Sequence, residues 1–208
     1  MATNGGIIGK TNNASFGKGV QTTITASGPT SPALAATQPG TRVIQTLILA
    51  GGGGGGHDNG GGGGAGGLRN IEINASGGVA LGAAVVGAGG AGGSGPTSKN
   101  PGLDSSIAIC GTTYTSDGGG AGGSNGANIG EDGGSGGGAT ETGCAPDTTA
   151  GGSGNTPPVS PSQGYDGGAA VRNDPTVQGA GGGGAGAVGV VGQGSPFIQG
   201  CGGAGLDL

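Results

Sequence analysis

The feature that most constrains this chain is the run from Thr46 to Leu68, TLILAGGGGGGHDNGGGGGAGGL. It begins like a buried strand and then continues for seventeen residues, 51–67, with almost no side chains. Glycine loses more conformational freedom on folding than any other residue and is disfavoured inside helices and strands. The run is therefore either disordered or part of a structure that requires the absence of side chains.

Composition favours the ordered alternative. Glycine and proline account for 63 and 11 of the 208 residues, but charged residues make up only 8%, whereas disordered chains usually carry abundant charge. The glycines are clustered rather than placed at every third position, which excludes collagen. With two Phe, two Tyr and no Trp, a conventional core lacks bulk. Much of the stability must then come from backbone hydrogen bonds.

Glycine segments in the extended, three-residue-per-turn conformation direct their N–H and C=O groups outward, where neighbouring segments can pair with them. This packing is known as polyglycine II. The tetrapeptide GGAG occurs five times, beginning at residues 63, 89, 119, 183 and 202, with irregular spacing. We therefore expect an all-β or irregular fold, a polyglycine II sandwich with short β-strands and essentially no α-helix.

Short apolar runs between the glycine clusters have strand character. In RNIEIN, Ile71 and Ile73 lie on one face and Glu72 and Asn74 on the other, as in a half-buried strand. The predicted strands are VQTTIT from Val20, TRVIQTLILA from Thr41, LRNIEIN from Leu68, ALGAAVV from Ala80, SSIAIC from Ser105 and AVGVV from Ala187. Segments such as TTYTSD from Thr112 are predicted to be polar loops.

Charge is unevenly divided along the chain. Residues 1–102 carry five basic and two acidic side chains, and residues 103–208 carry one basic and nine acidic ones, which sum to the net charge of −5. The acidic half is a poor nucleic-acid binder because that affinity comes from Lys and Arg. The sequence therefore predicts no nucleic-acid partner.

The sequence contains several apparent catalytic motifs, but none of them meets the requirements of the corresponding chemistry. NGGIIGKT resembles a phosphate-binding loop but has Asn4 where the pattern requires glycine. His57 and Asp58 are adjacent and cannot form a catalytic relay, and no nucleophile elbow is present. Glu131 and Asp132 lie side by side in a glycine loop with no aromatic platform for a sugar. We predict no enzymatic activity and no catalytic, cofactor-binding or metal site.

Cysteine and targeting signals are sparse. Cys110, Cys144 and Cys201 lack C-x-x-C spacing, so a zinc site is not expected. Buried free thiols and a single disulfide, such as Cys144 with Cys201, both remain open. The N-terminus has no apolar segment that could insert into a membrane.

A β-run ending in LILAGGGGGG, followed by GGxGG clusters separated by polar loops, resembles the glycine-rich adhesins and receptor-binding tips of tailed bacteriophages. In that family an N-terminal segment attaches to the fibre, and a polyglycine II sandwich presents variable loops to a bacterial surface protein or lipopolysaccharide. The resemblance covers about residues 43–205. This chain departs from the family in having few aromatic residues in its loops and a short N-terminal part.

The resemblance implies a virion-attachment segment at residues 1–40 and a glycine-rich domain at 41–208. Expected partners are other virion proteins and a bacterial surface protein or polysaccharide, and a homo-oligomer is compatible with the sequence. The expected location is the virion, extracellular when mature. Alternatives are a capsid or tail decoration protein, an ice-binding polyglycine II protein, and an extracellular ligand-type module.

Because the glycine clusters are nearly uniform, only the loops have the varied chemistry that recognition requires. Aromatic anchors contribute most at interfaces, so the tyrosines are the leading candidates among the loop residues. The predicted receptor-binding residues are His57, Asp58, Asn59, Lys99, Asn100, Tyr114, Tyr165, Asp166 and Arg172.

Overall fold

The computed structural model describes residues 37, 40–141, 148–172, 178–193 and 200–207. No helix occurs among them, as predicted. The strands are β1 (Val43–Leu49), β2 (Leu68–Asn74), β3 (Leu81–Val85), β4 (Ser105–Ile109), β5 (Thr112–Ser116), β6 (Thr148–Thr149), β7 (Ala170–Val171) and β8 (Gly192–Gln193). The strand predicted from Val20 lies outside the described residues.

Strands β1 and β2 form an antiparallel pair that confirms the predicted alternation. The register runs from Val43 opposite Asn74 to Leu49 opposite Leu68. Ile73 is buried, whereas its neighbours on either side along β2 are more exposed. Alternation therefore gives this sheet one inner face and one outer face.

A second antiparallel sheet has the order β3-β4-β5. Its β4–β5 turn places Cys110 and Gly111 at φ values of 53° and 77°, the conformation of a tight two-residue hairpin turn. The prediction of a loop at TTYTSD is wrong, because Thr112–Ser116 pairs with β4. Here hairpin pairing outweighs the polar composition that indicated a loop.

The third sheet, β6-β7-β8, is built from two-residue strands. Only Gly192–Gln193 is a strand in this region, so the prediction of a strand at AVGVV from Ala187 is wrong. That segment instead joins the array of glycine-rich segments.

Much of the remaining described chain consists of extended, non-strand segments, which we call struts. Twelve can be traced in the described part from their lateral hydrogen bonds. Numbered 1 to 12 in chain order, they cover residues 50–56, 61–67, 87–93, 100–104, 117–123, 128–132, 133–140, 150–155, 164–169, 179–184, 187–191 and 200–205.

Hydrogen bonding along strut 1 repeats every three residues. The N–H groups of Gly51 and Gly54 donate to strut 4, and the carbonyl groups of the same two residues accept from strut 5. The N–H groups of Gly53 and Gly56 donate to strut 2. Each neighbour is thus contacted at every third residue, unlike a β-strand, where contacts alternate with a period of two.

Strut 7 lies at the centre of the array. It is hydrogen-bonded to six others, struts 2, 5, 6, 8, 9 and 10. Every residue from Gly133 to Glu141 is buried. The only large aliphatic side chains in the described core are Ile48, Ile73 and Ile109, which belong to the sheets. The centre of the molecule is therefore packed backbone against backbone.

At many strut positions, the neighbouring backbone leaves no space for any residue other than glycine. A Cβ on Gly64 would lie 2.2 Å from the Ser135 oxygen, and one on Gly90 would lie 1.9 Å from the Asn100 oxygen. Left-handed φ values are confined, among the described glycines, to four residues outside the struts: Gly77, Gly78, Gly111 and Gly126. A side chain is thus excluded from these strut positions by the neighbouring backbone and not by the dihedral angles.

Successive struts alternate in direction, as the hydrogen-bond registers show. Gly53 and Gly56 pair with Gly64 and Gly61, so struts 1 and 2 are antiparallel and the HDN triplet is the turn between them. This alternation gives the array two ends. The base end carries β1 to β5 and the connections 156–163 and 185–186. Among the described residues, the loop end carries the connections 57–60, 94–99 and 124–127 and the residues 141, 148–149, 170–172, 178 and 192–193.

Candidate functional site

At the loop end, the best-defined element is the turn His57–Asn59. Asp58 and Asn59 have φ values of 50° and 52°, a left-handed conformation that Asp and Asn tolerate better than most residues. The His57 N–H donates to Ser124 Oγ at 3.0 Å, and Asn125 Nδ2 donates to Asp58 Oδ2 at 2.7 Å. The turn is thereby fixed to the next loop.

Ser124 joins a third loop to the same assembly. Its hydroxyl donates to the Ser98 carbonyl oxygen at 2.7 Å. Ser98 in turn accepts a hydrogen bond from the Gly95 N–H at 2.9 Å, which closes the 94–99 connection on itself. Three loops distant in sequence therefore form one hydrogen-bonded platform, which supports the side chains of residues 57–59, Lys99 and Asn125.

Glu141 was not predicted as a site residue, and it lies at the loop end of strut 7. It is 1% exposed, and its Oε2 accepts a hydrogen bond from Thr149 Oγ1 at 2.9 Å. Its Oε1 and His57 Nδ1 are buried without a hydrogen-bond partner among the described residues. Sequence reasoning had no signal for this burial, because Glu141 appears there as one polar residue of a loop.

The predicted site residues fall at opposite ends of the struts. The loop end holds His57, Asp58, Asn59, Lys99, Asn100 and Arg172, and the base end holds Tyr114, Tyr165 and Asp166. Six or seven residues at roughly 3.1 Å each separate the two ends by about 20 Å. The nine predicted residues are therefore divided between two groups, one at each end of the array.

The three base-end residues have structural contacts. Tyr114 lies in β5 opposite Ile107 and is half-buried. The carbonyl of Tyr165 accepts from the Gly136 N–H at 3.0 Å, although its side chain is exposed. Asp166 Oδ1 accepts from the Gly154 N–H at 2.7 Å and so caps a neighbouring segment. The tyrosines therefore do not belong to the loop platform.

Ionisable and thiol groups are dispersed in the described part of the chain. No group of three or more His, Cys, Asp or Glu side chains there could hold a metal ion. Cys110 and Cys201 are free and exposed, so the expectation of buried thiols is wrong for both. Cys144 lies outside the described residues. The described residues also include no helix that could cross a membrane.

Comparison with protein families agrees with the glycine-rich composition. The model of a glycine-rich domain family matches residues 27–207. The chain belongs to this glycine-rich domain family. The match begins within the segment predicted for attachment and extends over every strand and strut of the glycine-rich domain. Neither a curated protein nor a solved structure matches the chain.

Proposed function

We propose that this glycine-rich domain protein is a non-enzymatic bacteriophage adhesin whose loop end binds the host cell surface. The observation that carries the proposal is that the chain enters the array of struts at the base end, opposite the loop end. Thr37 is held at the base end by hydrogen bonds of 2.8 and 2.9 Å with Val79. A protein mounted through residues 1–40 would therefore point its loop end away from the mount.

We infer that the struts are polyglycine II helices. The three-residue repeat in hydrogen bonding along strut 1 and the six neighbours of strut 7 both support this assignment. A scaffold whose backbone groups are paired on all sides holds its connections in fixed positions. Fixed loops suit recognition because little conformational entropy is lost on binding.

The loop end has the chemistry expected of a recognition surface. The exposed residues of the struts are mostly glycine, alanine and other apolar residues such as Leu103, Ile129 and Val188, which offer few hydrogen-bonding groups to a ligand. The loop platform instead presents a carboxylate, amides and an ammonium group from Asp58, Asn59, Asn125 and Lys99. These groups suit hydrogen bonding to a polysaccharide or to the polar loops of an outer-membrane protein. We accordingly assign Tyr114 and Tyr165 to the base end, through which the protein would be attached to the virion.

Side-chain removal from the HDN turn tests this proposal. In Asp58→Gly/Asn59→Gly the left-handed backbone suits glycine, so the turn should persist while its recognition groups are lost. The matched base-end control is Asp132→Asn, which changes an exposed carboxylate about one strut length away. Binding of the labelled protein to a panel of bacterial cells is measured by flow cytometry.

The expected result is at least a tenfold loss of cell binding for the double variant and unchanged binding for the Asp132 control. Unfolding temperatures measured in parallel show whether both variants remain folded. If the wild-type protein binds no bacterial surface, or if only the base-end variant loses binding, the loop end is not the receptor site. A decoration role on the virion would then be favoured.

A further inference from the structure

The lateral edge of the array, formed by struts 11 and 12 together with Leu206, exposes large apolar side chains. Val188, Val190 and Val191 on strut 11 are 56%, 40% and 37% exposed, and Leu206 is 49% exposed. The two struts are adjacent, since the Val190 N–H donates to the Cys201 carbonyl at 2.9 Å. Gly189 is buried and faces strut 9, so the three exposed valines lie on the outer side of strut 11.

Exposure of several large apolar side chains on one edge is unusual for a protein that has so few of them. The centre of the array is built from glycine, alanine and small polar residues, so valine is not used there as core. Isolated exposed apolar residues are common, and Ile129 on strut 6 is one, next to the acidic pair Glu131 and Asp132. Several on adjacent segments are typical of an interaction surface.

Struts 11 and 12 themselves carry no charged side chain, and the acidic residues Asp166 on neighbouring strut 9 and Asp207 after Leu206 lie at their margins. No Asp, Glu, Lys, Arg or His occurs between Asp174 and Asp207, although the whole chain has a net charge of −5. Two copies of an acidic protein repel each other over most of their surfaces. Contact centred on the uncharged struts 11 and 12 places few like charges opposite each other, so this edge suits a second copy of the same chain.

Hydrogen bonding is incomplete along the edge. Strut 7 has six neighbours, whereas strut 11 is hydrogen-bonded only to struts 9, 10 and 12. The N–H groups of Val188 and Val191 have no backbone acceptor among the described residues. As in the edge strand of a sheet, such groups are available for pairing with another chain.

We propose that two copies of this chain associate through the lateral edge, with valine side chains packed between strut 11 of each copy. A strip about 19 Å long and two struts wide offers roughly a few hundred Å² per copy. This is less than the ~800 Å² per partner of a standard stable interface, so the dimer should be weak, with Kd on the order of micromolar. The proposal goes beyond receptor binding and holds whether or not the loop end binds a cell.

Sedimentation velocity on the full chain between about 1 and 200 µM tests the association. The wild-type protein should shift from the mass of one chain towards twice that mass. Val190→Asp places two carboxylates against each other in the dimer and should remain monomeric throughout. The matched control Ile129→Asp makes the same change at another exposed apolar residue and should behave as wild type. Unfolding temperature is recorded for each, with Val190→Thr as a conservative second variant.

The two exposed cysteines provide an independent measurement. Cys201 lies beside Val190 at the lateral edge, whereas Cys110 lies in the β4–β5 turn at the base end. As protein concentration rises, alkylation of Cys201 should slow several-fold and that of Cys110 should not, as read by peptide mass spectrometry. A wild-type protein that stays monomeric at 200 µM overturns the proposal. The proposal is also overturned if the Val190→Asp variant still dimerises and Cys201 remains reactive in the dimer.

Discussion

An alanine scan along strut 1 tests the strut packing directly. At Gly53, an added Cβ would lie 2.1 Å from the Gly120 oxygen, far inside van der Waals contact. At Gly52, the nearest atom to the same Cβ is the Gly64 oxygen at 3.6 Å, an ordinary contact. Adjacent glycines in one strut should therefore respond in opposite ways to the same substitution.

The loss of stability expected for Gly53→Ala can be estimated from the backbone groups that the added Cβ would displace. Gly120 is held by hydrogen bonds of 2.9 Å from the Gly64 N–H and to the Ser135 oxygen. Relieving the overlap needs a displacement of more than 1 Å, which disrupts both bonds. Overpacking costs about 1–3 kcal/mol and each lost hydrogen bond about 1 kcal/mol. The sum of about 3–5 kcal/mol is a large fraction of the stability of an ordinary domain.

Gly52→Ala should be neutral or should stabilise by up to about 1 kcal/mol, because alanine restricts the unfolded chain more than glycine does. Differential scanning calorimetry measures the difference. With about 2–4 °C of Tm for each kcal/mol in a domain of this size, Gly53→Ala should lower Tm by roughly 6–20 °C. Gly52→Ala should leave it within a few degrees.

Extending the alanine scan to the other glycines of strut 1 shows at which interval along the strut an added Cβ is tolerated. Alanine should be tolerated at Gly55, where the nearest atom is 3.7 Å from the added Cβ. It should be destabilising at Gly51, Gly54 and Gly56, where that distance is 2.1, 1.9 and 1.9 Å. A three-residue repeat of tolerance would match the hydrogen bonds. Tolerance that alternates with a period of two, or is uniform along the strut, would refute the packing argument.

Further predictions concern other parts of the scaffold. Gly64→Val and Gly90→Val should each prevent folding or lower Tm by more than 10 °C in calorimetry. Asp166→Asn keeps an acceptor oxygen for its exposed hydrogen bond and should change stability by only about 0.5 kcal/mol. Gln163→Leu should destabilise by about 2–4 kcal/mol in the same assay because Gln163 is fully buried and hydrogen-bonded through both ends of its amide; a Tm within 2 °C of wild type would contradict this. Deleting residues 1–38 should leave a folded domain, with Tm lower by a few degrees through loss of the Thr37 contacts, that is no longer incorporated into virions; normal incorporation would show that attachment lies elsewhere.

Local sequence accounts for the element types at several positions. Alternation in RNIEIN correctly predicted β2, and the polar residues His57, Asp58 and Asn59 between two glycine runs were correctly expected to lie in a loop. The scarcity of helix periodicity and of aromatic residues predicted a helix-free scaffold stabilised by its backbone. These features depend on neighbouring residues and can therefore be read directly from the sequence.

Tertiary structure decided which struts are neighbours and which end each loop occupies. Strut 5 and strut 12 both contain GGAG, yet strut 5 is hydrogen-bonded to five other struts and strut 12 lies at the lateral edge, so the tetrapeptide itself does not distinguish a central from a lateral position. AVGVV has strand composition, yet it lies in the array because its inward-facing Gly189 donates its N–H to the Asp166 oxygen at 2.9 Å. Tyr165 and His57 are both loop residues by sequence, and only the alternating direction of the struts places them at opposite ends. Composition determined that the backbone would form the core, and the long-range hydrogen-bond register determined what the surface presents.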